Sequence, residues 1–454
     1  MHLTRRDDTT APPLAGGDQA WVLVSTALVF IMIPGVGYFY SGMARSKNAL
    51  SLIFLSMLSL AVVGLEWFIW GYSLALAKEG GVFIGDLRQA FLMGVGTAPH
   101  PNAPTVSETV YCTYQSMFAA LTPALAFGAA AERSRILPAI VFLFVWSTLV
   151  YNPIAYWTWA PNGWLRTLGS LDYAGGTPVH MSSGFAALAY ALIVGRRQGF
   201  GKEEFKPHNY ANVMLGTALL WFGWLGFNPG SAVAANGRAG MAAIVTNVAA
   251  AASGLAWMLL AYRHERKLSS FHFCSGAVAG LVAITPASGF VQPWAALVFG
   301  VVAGVTCHFA GDLKHRLRYD DALDVFSVHG VGGLVGNLLT GIFADASIAA
   351  MDSASIAGGW VNGHWIQLPI QMAASAAGAG WAFVVTLVIL FIMNKIPLLR
   401  LRVDEEEEAL GLDASQMGEY NYDQIMVNGT ISSNMQLHAS TLTSPTAIHV
   451  DALK

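Results

Sequence analysis

Two histidines, His180 and His329, stand in matching Val-His-x-x-x-Gly runs, Val179-His180 to Gly184 and Val328-His329 to Gly333. Each run lies in a stretch free of charged residues. Left unpaired in hydrocarbon, an ionisable side chain costs several kcal/mol, so a histidine there is a functional candidate by default. A single one is also explained by a hydrogen bond between helices. Two at equivalent positions favour function. Neighbouring neutral imidazoles share one hydrogen bond, each keeps a nitrogen for a passing polar molecule, and their repulsion opposes double protonation. Such a pair suits a small, basic, hydrogen-bonding solute. Glu66 is the third ionisable group inside an apolar run. It is either a proton or cation site, or a neutral carboxylic acid hydrogen-bonded to a neighbouring helix or subunit.

Several aromatic positions carry a second kind of chemistry. The stretch Trp221-Phe-Gly-Trp224-Leu-Gly-Phe227-Asn-Pro-Gly-Ser231 sets glycines and a proline beside aromatic rings and a hydroxyl at a helix end. This composition predicts irregular backbone lining a cavity. A cation there would find ring faces worth about 0.5 to 2 kcal/mol each, with Ser231 as an acceptor. Trp159 and Trp164 end an apolar run, where a belt of interfacial aromatics and contact with a ligand are both open readings. Phe118 and Phe227, taken singly, read as core. Asp172, eight residues ahead of His180, either attracts cations or caps the following helix.

Holding such groups inside a bilayer requires spanning elements, and the composition supplies them. Of 454 residues, 55% are hydrophobic and 11% charged, far below the roughly one quarter charged of a water-facing shell. An all-α polytopic membrane protein is expected, and nucleic-acid binding is excluded. Charge-free runs mark crossings at 19–44, 48–77 (interrupted only by Glu66), 109–131, 136–159, 173–195, 211–231 and 239–262. The 44 uncharged residues 268–311 would make about 66 Å of helix, which is two crossings turned at Pro286 and Ser288-Gly289. Runs 325–344 and 368–394 complete a count of eleven transmembrane helices.

Alternate loops contain 17 of the 24 lysines and arginines, and the opposite loops only Lys78, Arg88, Arg166 and Arg238. Basic residues mark the cytoplasmic side, which puts the N-terminus outside and the C-terminus in the cytoplasm. The repeated His motif five helices apart points to an inverted five-helix repeat, with the eleventh helix outside it. Four segments follow: 1–18 outside, a transmembrane domain over 19–394, a cytoplasmic segment over 395–424, and a disordered tail over 425–454. The start of the chain lacks a secretory signal pattern. From Asp404 onward the chain holds nine of 27 acids and one base, a composition that reads as a solvated acidic tail. Asn428-Gly429-Thr430 would be a cytoplasmic chance match to the glycosylation pattern, and Ser444-Pro445 a phosphorylation candidate. Cys112, Cys274 and Cys307 read as packing residues, with no zinc spacing and no cofactor expected.

The motifs together resemble the ammonium transporter, methylammonium permease and Rhesus protein family, and within it the fungal high-affinity permeases. The stretches that carry the resemblance are Pro34-Gly35-Val36-Gly37 through Arg45-Ser46-Lys47-Asn48, Trp67 to Leu74, Ala129 to Arg133, Leu171 to Gly176 with Val179-His180, and Lys206-Pro207-His208. Gly280 to Ala287, Asp324 to Gly333 and Thr340 to Ala344 complete them. The resemblance implies a plasma-membrane homotrimer with one pore per subunit. It puts Trp159, Phe118 and Ser231 at an external ammonium site, with Phe118 and Phe227 as a gate. His180, His329 and Trp224 would line the pore, and Asp172 would be a structural residue near the entrance. It also implies ammonium or ammonia, and methylammonium, as the solute, with no enzymatic step and no metal. The segment 395–424 would be regulatory, with a kinase or other regulatory protein as its partner.

Two positions depart from the family pattern. Pro229 stands where relatives usually have a small residue, and Glu66 where fungal relatives commonly have glutamine. The competing functional class is a membrane receptor that senses ammonium with little flux. A metal site built from the two histidines with Glu66 or Asp172 is a third reading.

Overall fold

The computed structural model describes residues 14–420, so Asn428, Ser444 and the first thirteen residues lie outside the described part. The longer helices in chain order are α1 Gly16–Met43, α2 Ser46–Leu76, α3 Glu108–Ala126, α4 Ile136–Leu168, α5 Gly176–Val194 and α6 Tyr210–Gly230. They continue with α7 Gly237–Glu265, α8 Ser270–Ile284, α9 Pro293–Leu317, α10 Phe326–Phe343 and α11 Gln367–Lys395. Among the described residues, nine of these are long and apolar enough to cross a membrane. The other two are α3, which opens on Glu108 and carries Gln115 and Pro123, and α8, only 15 residues long. Residues 268–311 form α8 and α9, joined by a turn through Pro286 and Gly289.

The expectation of irregular backbone at 221–231 is corrected: α6 runs unbroken through it, with Pro229 in its last turn. The glycines there serve helix contact. A Cβ on Gly223 would lie 2.6 Å from the Leu28 carbonyl oxygen, and one on Gly226 would lie 2.8 Å from that of Ser25, so α6 packs against the backbone of α1. Irregularity sits elsewhere, in π-helical segments at Trp67–Gly71, Ser147–Tyr151, Gly176–Met181 and Phe326–Val331. The last two contain the candidate histidines, and π-bulges are frequent at functional sites.

The strict all-α expectation is also corrected by a small antiparallel hairpin, Pro99–His100 with Ala103–Ser107. Buried His100 stacks on Tyr111 at 4.8 Å and bonds the Leu76 carbonyl through Nε2 at 2.9 Å, fixing the hairpin over one end of the bundle.

At the opposite end the basic residues do more than mark a side. Arg45 pairs with Glu132 at 2.6 Å and Arg197 with Asp320 at 2.9 Å. Burial opposes the charge on Asp320, but the Arg197 hydrogen bond and the Arg133 and Arg197 guanidiniums outweigh it and hold the carboxyl below its ordinary range. Burial pushes the Arg133 guanidinium down to about 10.

Residues 395–420 pack against this end, and here too composition misleads. Glu408 and Asp413 are buried rather than solvated. Arg402 donates to Glu408 at 2.7 Å, Lys47 Nζ to the Glu408 carbonyl at 2.8 Å, and the backbone N–H of Gln198 to Glu408 Oε1 at 2.7 Å. The Asp413 carboxylate accepts the Leu50 and Ser51 N–H groups, at 2.9 and 2.8 Å, in the first turns of α2. All three cysteines are free and buried.

Candidate functional site

The two histidines meet in the middle of the bundle. His180 Nδ1 and His329 Nδ1 are 3.2 Å apart and the rings stack at 5.4 Å. The bond needs one ring to donate and the other to accept. The donor ring then keeps an acceptor at Nε2 and the acceptor ring a donor. His180 Nε2 is buried without a protein partner.

The chain around each of the two histidines shares three features. Asp172, eight residues before His180, accepts N–H bonds from Gly175, Gly176 and Thr177 at 2.7–2.9 Å. Asp321, eight before His329, accepts from Val325 and Phe326 at 3.1 and 2.7 Å. Five residues before each histidine the backbone is left-handed, at Gly175 (φ 118°) and Asp324 (φ 59°). Four residues after each comes a glycine against the other segment. A Cβ on Gly184 would lie 2.1 Å from Gly330 N, and one on Gly333 would lie 3.0 Å from the Gly176 carbonyl oxygen. Sequence reasoning missed Asp321, although its eight-residue spacing to a histidine repeats that of Asp172.

A cavity of about 220 Å³ runs from the histidines past Trp224, Phe39 and Met43 to His308 and Lys314 at the end where residues 395–420 dock. Trp224 stacks on His180 at 5.5 Å, and its Nε1 donates to Thr285 Oγ1 at 3.0 Å, which fixes the ring. A second cavity of about 250 Å³, under the hairpin, is lined by Phe118, Trp159, Asp172 and Ser231. Between the two stand Phe118 and Phe227, both buried, with ring centroids 4.3 Å apart; Phe227 in turn stacks on His180 at 5.9 Å.

Hydrogen bonds fix the lining of this second cavity. Trp159 Nε1 donates to the Asp172 carbonyl at 3.1 Å and its ring meets Phe118 at 6.2 Å, edge to face. Ser231 Oγ donates to the Phe227 carbonyl at 2.8 Å, lies 3.4 Å from Tyr114 Oη and lines the cavity. Pro229 sits in the last turn of α6, the turn in which Ser231 bonds the Phe227 carbonyl. Trp164 lies apart, packed on Trp157 at 5.7 Å.

Glu66 is remote from the histidines. Its Oε1 accepts from Asn152 Nδ2 at 2.8 Å and Thr148 Oγ1 at 2.9 Å, while Oε2 is buried without a partner. With Glu66 committed to Asn152 and Thr148 and the Asp172 carboxylate to backbone N–H groups, neither joins the histidines. The three-ligand metal reading therefore loses its third ligand.

Residues 20–422 match the Ammonium Transporter Family. The chain is 54% identical over 408 residues to ammonium transporter 1 of Schizosaccharomyces pombe, covering 89% of this chain and 82% of that one. It superposes on the crystal structure of Candida albicans Mep2 with a TM-score of 0.84 at 49% identity, over 87% of this chain and 88% of that one. On Saccharomyces cerevisiae Mep2 the TM-score is 0.86 at 46% identity, over 93% and 94%. With a family match across nearly its whole length and relatives far above the level of chance, the chain belongs to the ammonium transporter family.

Proposed function

We propose that the protein imports ammonium, binding the cation at Trp159, Phe118 and Ser231 and passing neutral ammonia through the His180–His329 pore. Membership of the family supports transport, and the chemistry of the two cavities supports the route. In the outer cavity a cation finds aromatic faces and a hydroxyl oxygen. Beyond it, the Phe118–Phe227 pair and the apolar lining around the histidines oppose any charged species, since burying a bare ion in a fully apolar medium costs on the order of tens of kcal/mol. Ammonium escapes that cost by giving up a proton, which potassium cannot do. Ammonia then meets an acceptor and a donor on the two Nε2 atoms, matching its own donors and lone pair.

The reading includes eleven transmembrane helices in an inverted five-helix repeat, an external N-terminus and a cytoplasmic C-terminus. It also includes a homotrimer in the plasma membrane and a regulatory role for 395–424. The single observation that carries the proposal is the His180–His329 bond at 3.2 Å, enclosed by Trp224 and Phe227. Uptake of labelled methylammonium in cells lacking their own permeases tests transport, and a pure ammonium receptor would show none. Currents from liposomes on ammonium addition, compared with the His180→Ala/His329→Ala protein, test the route. Unchanged rate and selectivity in the double variant would remove the histidines from it.

A further inference from the structure

The cavity under the hairpin holds a charge that the transport reading leaves unused. Of the four basic residues on that side among the described residues, three are ion-paired. Lys78 pairs with Glu108 at 2.8 Å, Arg238 with Asp352 at 3.1 Å, and Arg88 with Glu79 and Asp86. Arg166 has no acidic partner among the described residues. Its NH1 donates to Asn102 Oδ1 at 2.5 Å and to the Trp159 carbonyl at 2.7 Å. Asn102 Nδ2 donates to the same carbonyl at 2.9 Å and to Tyr111 Oη at 3.2 Å, so the hairpin tip fixes the guanidinium against the rim. Arg166 lines the same cavity as Phe118, Trp159 and Ser231. Asp172 is the only carboxylate in that lining, and its oxygens are taken by three backbone N–H groups. The Arg166 guanidinium therefore stands beside the position proposed for a cation without an ion pair, while the Asp172 carboxylate of the same lining is held by backbone N–H groups rather than by Arg166.

We propose that Arg166 is a charge filter at this mouth, raising the KM for the monovalent cation and holding back divalent cations more strongly. The inference rests on the transport reading above. A unit charge about 10 Å away across water depletes a monovalent cation about twofold and a divalent one about fourfold. Salt weakens this, because the Debye length falls from about 30 Å at 0.01 M to about 8 Å at 0.15 M. The filter therefore leaves a signature that a purely mechanical strap lacks.

Labelled methylammonium uptake is measured in cells without other permeases, at low and high sodium chloride with osmolarity held by sucrose, and with calcium chloride as competitor. Two variants separate charge from geometry. Arg166→Gln keeps a donor for the Trp159 carbonyl and removes the charge, whereas Arg166→Lys keeps the charge and removes the fork. The expected result for Arg166→Gln is a KM about twofold lower at low salt, an unchanged maximal rate, a flatter salt dependence than wild type and stronger inhibition by calcium. Arg166→Lys should follow wild type. Wild-type KM and salt dependence in Arg166→Gln, or equal shifts in both variants, would overturn the filter. Absence of saturable uptake in the wild-type protein would instead overturn the transport reading itself.

Discussion

Gly184→Ala is the sharpest test of how the histidines are held together. Gly184 lies one turn beyond His180, against the residue that follows His329. A Cβ there would sit 2.1 Å from Gly330 N, 2.4 Å from its Cα and 2.9 Å from the His329 carbonyl carbon. All three are backbone atoms, so no side chain can rotate away. Close-packed interiors do not absorb such overlap locally, and α5 and α10 must separate by about 0.9 Å to restore a 3.0 Å contact. Added to the present Nδ1–Nδ1 distance of 3.2 Å, that separation takes the pair to about 4 Å, beyond hydrogen bonding. Overpacking of this kind costs about 1–3 kcal/mol. Leaving buried ring nitrogens unpaired costs a further ~1–3 kcal/mol. The expected outcome is a lower Tm in detergent together with a loss of methylammonium uptake on the order of tenfold at matched surface expression. Gly380→Ala, at a position with nothing within 4 Å of the new Cβ, is the control and should leave both unchanged. Wild-type Tm and uptake in Gly184→Ala would refute the reasoning that the glycine contact sets the histidine pair.

Glu66→Gln should retain folding and uptake, because it still offers Asn152 and Thr148 an acceptor, whereas Glu66→Leu strands the buried Asn152 amide and should cost about 1–3 kcal/mol by thermal unfolding. A large loss of uptake in Glu66→Gln would make the ionisable group itself functional. Asp320 is held below its unfolded pKa, so its contribution to stability is complete above pH ~4 and is lost as pH falls through the folded value. Wild-type Tm should therefore decline more steeply below pH ~4 than that of Asp320→Asn, which should start lower at pH 7. Equal slopes would refute the assignment. Asp413→Ala removes the acceptor for Leu50 and Ser51 N–H, worth about 0.5–2 kcal/mol for a helix cap. Faster proteolysis beyond Lys395 is expected, and unchanged uptake alongside it would argue against a regulatory role for the docked segment.

What the sequence made legible follows from what a bilayer forbids. Charge is excluded from about 30 Å of hydrocarbon, so charge-free runs anticipate the helical segments and the few internal ionisable groups stand out. His180 and His329 could be read for that reason. The partners of Glu66 could not, because Thr148 and Asn152 are polar residues 82 and 86 positions away with nothing to mark them. The π-helical segments escaped because α and π turns draw on the same apolar residues. Gly223 and Gly226 were misread as helix breakers when they are contact points, since a glycine's local preference does not reveal whether a neighbouring backbone fills its missing side chain. Glu408 read as solvated with the rest of its run because its partners Lys47 and Gln198 come from distant parts of the chain. Arg166 was counted only as a topological mark, and its lack of an acid appears only once Lys78, Arg88 and Arg238 are seen paired among the described residues.

The matching frames around the histidines explain a property that neither ring has alone. Aspartate at minus eight, a left-handed residue at minus five and glycine at plus four recur in both segments. Two segments related in this way bring like atoms face to face, as an isologous contact does, and the observed pair is Nδ1 against Nδ1. A hydrogen bond cannot be symmetric in the same sense, because one nitrogen must carry the proton and the other must not. The frame is therefore symmetric and the protonation is not. One Nε2 is left as an acceptor and the other as a donor, and the two roles exchange at constant net charge only when the shared proton crosses the pair while the donor ring gains a proton at its Nε2 and the acceptor ring gives one up from its own. On the proposed route, two copies of one motif would thus offer ammonia both kinds of hydrogen bond while adding no charge to the path.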